Sequence, residues 1–168
     1  MNNLVLNNII RFIGLLLFQV LVLNHVNLFG FINPFVYIIW VFLFPFKKNK
    51  FALLIFSFLL GLSIDFFSDS GGIHAAATLF IAYIRTPVLN AVLGKSDFDY
   101  VLFNLRNIAF IKAISFISLL TFIHHFVIFS LEYFKLSSFS TILYNTLLTG
   151  IFTIILSVLG IILFTKKK

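Results

Sequence analysis

Apolar runs follow one another along this chain with only short polar breaks between them. The runs at about 9–23, 31–46, 51–67, 73–93, 108–131 and 139–164 carry no more than one charged residue each. A helix rises 1.5 Å per residue, so about 20 apolar residues cross the roughly 30 Å of hydrocarbon in a bilayer. A soluble fold has no core large enough to hide so many runs. Composition agrees: 61% of the residues are hydrophobic, 25 are Phe and only 10% are charged, against about 25% charged in soluble domains. The chain therefore reads as an all-α integral membrane protein. Residues 1–168 form one transmembrane bundle of about six helices, with no room for a separate soluble domain. No basic stretch precedes the first run and no small-residue cleavage site follows it, so that run is expected to stay in the mature protein.

The net charge of +7 does not indicate nucleic acid, because the basic residues form no stripe with interleaved aromatics. They sit at the ends of apolar runs, as topology signals do. Lys47, Lys48 and Lys50 mark a short basic hairpin, Lys95 and Arg106 a second basic loop, and Lys166, Lys167 and Lys168 the C-terminus. All three are assigned to the cytoplasmic side, which gives an N-in, C-in topology. The third run then delivers Asp65 and Asp69 to the outer face. Residues 94–107 read as the second cytoplasmic loop, carrying a short amphipathic helix at the inner surface that a capping box of Ser96 and Asp99 opens. With no Cys, disulfides, thiolate metal sites and a Cys nucleophile are excluded.

Within the runs, polar residues are rare enough to weigh singly. Gln19 is expected to bond a neighbouring helix. Pro34 suits a first helical turn and Pro45 an exit. Tyr37 and Trp40 fit either an interface or a core. His124 and His125 have no carboxylate or third His at helical spacing, so polar packing is preferred to a metal site.

The concentration of polarity lies between Gly61 and Arg85. Carboxylates and Arg at membrane depth cost several kcal/mol each, so they face protein, water or the interface. Asp65 stands near the end of the third run. Asp69 belongs to the turn or to the N-cap of the fourth helix. Gly71 and Gly72 let the backbone double back. Two readings of Asp65 stand side by side: a solvated turn carboxylate, or one held inside the packing by His74 across the turn. His74, Thr78, Ile81 and Arg85 share one helix face. Arg85 should lie about 16 Å beyond His74, either snorkelling or capping carbonyls freed by Pro87. Gly71 with Ala75, and Gly72 with Ala76, are small pairs that allow close helix approach, so the fourth helix is expected to be the packed centre.

Gly61, Leu62, Asp65, Ser70, Gly71, Gly72, His74, Ala75 to Ala77, Ala82, Tyr83, Arg85 and Pro87 form a pattern that resembles the rod shape-determining protein MreD family. The specific pattern covers about 25 residues; length, hydropathy and span count fit over nearly the whole chain. The resemblance implies a bundle similar to the substrate-binding subunits of energy-coupling-factor transporters. It implies a non-enzymatic, multi-pass scaffold in the bacterial inner membrane, without a cofactor, that supports lateral peptidoglycan synthesis and cell shape. Its expected partners are an MreC-like bitopic membrane protein, the MreB cytoskeleton, RodA, a class B penicillin-binding protein and membrane lipid. Gly61, Asp65, Asp69, Gly71, Gly72, His74 and Arg85 are the expected structural and partner-binding residues; no catalytic residue is implied. The alternative is a small-molecule-binding subunit of an energy-coupling-factor-type transporter, with a pocket near Asp65, His74 and His125. A polar cavity of ligand size would favour the binder, and a filled apolar interior the scaffold.

Overall fold

A computed structural model describes residues 2–26, 32–45, 50–94 and 108–164. The basic hairpin residues Lys47 and Lys48, the amphipathic helix with Ser96 and Asp99, Arg106 and the terminal lysines lie outside the described residues. Five long helices dominate: α1 (Asn2–Leu21), α3 (Phe51–Ser68), α4 (Ile73–Leu93), α5 (Phe110–Tyr133) and α6 (Phe139–Phe164). Each contains a stretch long and apolar enough to cross a membrane. The last four begin and end within about two residues of the apolar runs, and α1 begins earlier than its run. Their exposed surface is rich in Phe, Leu and Ile, such as Phe51, Phe80, Ile111 and Leu159, as suits contact with lipid tails.

The second run departs from expectation. Instead of a continuous helix over 31–46, residues after Pro34 form a 3₁₀ turn (Val36–Ile38) that leads into the short α2 (Ile39–Leu43). Pro34 and Pro45 leave little room between them, and Phe35 lies outside the helical region at φ −99°, ψ 73°. Apart from Leu43, the intervening residues are β-branched or aromatic and therefore weak helix formers. What they supply is apolar bulk on every side. Tyr37, Ile38, Ile39, Trp40, Val41 and Phe42 are all at most 2% exposed. A helix apolar all round belongs in a core, and this segment is the centre of the bundle. Trp40 meets Phe12 of α1 edge-on at 5.5 Å, and Phe42 meets Phe116 of α5 at 6.2 Å. The central position expected of α4 is therefore taken by Val36–Leu43. Helix α4 lies between α3 and α5 and leaves Phe80 and Tyr83 exposed.

Irregular backbone at this depth must be satisfied by other elements. Gln19 of α1 does so at one end of the segment. Its amide donates to Pro34 O at 3.1 Å and accepts from Val36 N–H at 2.8 Å, as expected of a Gln that bonds its neighbour. Trp40 Nε1 donates to Asn8 O at 3.1 Å, so the segment runs antiparallel to α1. Asn24 Nδ2 donates to Ser68 Oγ at 2.9 Å, which sets the ends of α1 and α3 at one level. Helices α3 and α4 pack most closely at Gly61. A Cβ there would come within 2.5 Å of Ala75 Cα, so only glycine allows this backbone contact.

Candidate functional site at the α3–α4 corner

Helix α3 ends at Ser68. Asp69 then turns left-handed at φ 52°, ψ 41°, and its N–H returns to Asp65 O. Asp tolerates this region better than most residues. Gly71 and Gly72, at φ 64° and 97°, complete the reversal. Asp69 is thus an exposed turn residue that closes α3, not the N-cap of α4.

The start of α4 is capped instead from the preceding helix. Asp65 Oδ1 accepts from Ser70 Oγ at 2.6 Å and from His74 N–H at 2.9 Å, while Oδ2 accepts from Ala75 N–H at 2.8 Å. Asp65 is only 4% exposed. Its charge faces the positive end of the α4 dipole and takes up two otherwise orphaned N–H groups. The reading of a solvated carboxylate is overturned. The reading of a pairing across the turn is corrected in detail: His74 offers its peptide N–H, not its ring.

The His74 ring joins a second network centred on Tyr37. The Tyr37 hydroxyl lies 2.9 Å from His74 Nδ1 and 3.0 Å from His124 Nε2. One hydroxyl donates once and accepts twice, so it can serve both imidazole nitrogens at once. Thr78 Oγ1 donates to His74 O at 2.6 Å. The proton on His125 is fixed by its partners. Nδ1 faces the carbonyl of Thr121 at 2.8 Å, so it carries the hydrogen. Nε2 then accepts from Thr153 Oγ1 at 3.0 Å, and the same oxygen accepts from Phe35 N–H at 3.1 Å. The Phe35 ring fills the space between, with centroids 5.0 Å from His74 and 5.1 Å from His125. The preference for polar packing at His124 and His125 fits this arrangement. Among the described residues no group of three His, Cys, Asp or Glu could hold a metal ion.

Arg85 stands apart from this corner, about 16 Å along α4 at 1.5 Å per residue. It is 1% exposed. At that exposure it does not snorkel to the surface. Its guanidinium donates to Phe42 O at 3.0 Å and to Phe44 O, at the C-terminal end of α2, where a cation opposes the helix dipole.

The structure therefore divides the expected site residues. Gly61, Asp65 and His74 come together, joined by Ser70. Gly72 and exposed Gly71 and Asp69 shape the turn, and Arg85 locks the central segment elsewhere. The small pairs expected at Gly71 and Gly72 are not the close contact, which is Gly61 against Ala75. Ala76 is exposed. Phe35, Tyr37 and Thr153 were not foreseen as site residues. The recurrence of Thr149, Thr153 and Ser157 at helical spacing on α6 was the available signal for Thr153. Comparisons with protein-family models, curated proteins and solved structures find no match to the chain.

Proposed function

We propose that the chain is a non-enzymatic scaffold of the bacterial cell-elongation complex, oriented N-in and C-in in the inner membrane. It would help maintain cell shape by supporting lateral peptidoglycan synthesis. One observation carries this reading. Gly61, Asp65, Ser70, His74 and Ala75, part of the pattern behind the resemblance to MreD, converge on one corner whose polar groups are spent on holding protein together. Both carboxylate oxygens of Asp65 are engaged by donors of the α3–α4 corner, and Gly61 sets the two helices in backbone contact. A rigid corner of this kind suits a surface on which an MreC-like bitopic partner rests, with MreB, RodA and a class B penicillin-binding protein assembled around the pair. The filled interior around Phe35, Tyr37 and the three histidines favours the scaffold over a transporter subunit with an open pocket.

The test is rescue of rod shape in cells depleted of the native protein, with protein abundance measured in parallel. The wild-type chain restores rods, whereas Asp65→Leu gives round cells. Round cells with the wild-type chain at normal abundance would reject the proposal.

A further inference from the structure

Tyr83 stands at the middle of α4, which runs from Ile73 to Leu93. At 1.5 Å per residue it lies about 15 Å from either end, at the midplane of a bilayer. Its side chain is 66% exposed, and among the described residues nothing hydrogen-bonds its hydroxyl. Tyrosines of membrane helices gather at the two interfaces, where the hydroxyl meets water. At this depth neither water nor headgroups are within reach, and an unpaired hydroxyl in hydrocarbon is costly. The backbone adds a second demand at the same residue. Pro87 lies inside α4 one turn later and has no N–H to give the Tyr83 carbonyl. Membrane helices tolerate such a proline where a neighbouring element supplies the missing bond. Exposed side chains at mid-depth on other helices, such as Leu59, Leu119 and Ile151, are apolar and need only lipid.

We propose that this face of α4 packs against α4 of a second copy of the chain, about a two-fold axis along the membrane normal. Ala76, Phe80, Tyr83 and Pro87 are all exposed and follow one another at spacings of four, three and four, the seam of a left-handed helix pair. Two copies inserted in the same orientation run parallel, and a two-fold sets the same patch of each against the other. Tyr83 then meets Tyr83 at one depth. A hydroxyl both donates and accepts, so each supplies what the other lacks, with the Tyr83 carbonyls as further acceptors. A helix of a different protein would need a polar group of its own at this one level; a second copy has it by construction. The pairing is independent of the wall-elongation reading, so either can fail alone.

Two measurements test it. In the first, the full chain carrying a donor or an acceptor dye at its C-terminus is reconstituted into liposomes, and energy transfer is followed as the chain-to-lipid ratio is varied. Wild type associates as a dimer. Tyr83→Phe, a substitution on an exposed face that leaves the fold intact, dimerises about three- to tenfold more weakly, the worth of a hydrogen bond between membrane helices. In the second, single cysteines are introduced into the chain, which has none of its own, and membranes are oxidised. Ala76→Cys forms a disulfide-linked dimer, whereas Leu143→Cys, exposed near the corresponding end of α6, does not. A wild-type chain that stays monomeric at every ratio overturns the proposal and leaves the face to a different membrane protein. Equal dimerisation of Tyr83→Phe overturns the role of the hydroxyl. Equal cross-linking at Ala76→Cys and Leu143→Cys overturns the choice of face.

Discussion

Replacing Asp65 by Asn should cost about 2 kcal/mol of stability, although the two side chains are nearly the same shape. The reason lies in the division of labour between the oxygens. Oδ1 serves Ser70 Oγ and His74 N–H, and Oδ2 serves Ala75 N–H. An amide has one acceptor oxygen, so either orientation sets its NH2 against a peptide N–H that needs an acceptor. One hydrogen bond to a charged group is lost, worth about 1.5–3 kcal/mol, and a buried donor is left unpaired. Relief from burying a charge offsets part of this, which brings the expected figure to the lower half of the range. Asp65→Leu removes all three bonds and should cost roughly twice as much, within the limits of non-additivity. Reversible unfolding in mixed micelles, followed by circular dichroism, measures both. If Asp65→Asn unfolds with wild type within about 0.5 kcal/mol, the capping argument is wrong.

Other substitutions probe the same packing. Gly61→Ala should destabilise by about 1–3 kcal/mol through overpacking against α4, and Ala75→Leu should behave similarly while exposed Ala76→Leu accumulates like the parent; accumulation of all three at parental levels in membranes would contradict the contact. Arg85→Leu should lose about 1–3 kcal/mol in thermal unfolding, because Phe42 O and Phe44 O then lose the Nη2 donor they share. Tyr37→Phe leaves His74 Nδ1 and His124 Nε2 without their shared hydroxyl and should cost about 1–3 kcal/mol, read from the same unfolding curves. A single Cys at Lys48, in a chain with no other Cys, should resist labelling from outside the cell; labelling there would invert the proposed orientation.

The long helices were legible because an apolar run and the charges that bound it are both written in sequence. Phe51–Ser68 and Ile73–Leu93 begin and end at such signals. The segment Val36–Leu43 was not, because periodicity does not distinguish a short, wholly buried helix from part of a longer one. The two prolines that limit it were visible, and the Gln19 side chain that replaces its missing backbone bonds was visible as a polar outlier. Gly61 and Asp65, one helical turn apart, announced a close and polar corner. That Asp65 reaches peptide N–H groups and not an imidazole is hidden, since a helix start offers its donors whatever its side chains are. The bridge from Tyr37 to His124 joins elements far apart in the chain, and no local pattern encodes it.

The scaffold account is tested most directly by affinity purification of the tagged chain from bacterial membranes, with the copurifying proteins identified. The account predicts that an MreC-like bitopic protein and other elongation components copurify with the wild-type chain, and that Asp65→Leu loses them at equal protein abundance. Copurification of an energy-coupling ATPase module without any wall-elongation protein would contradict it.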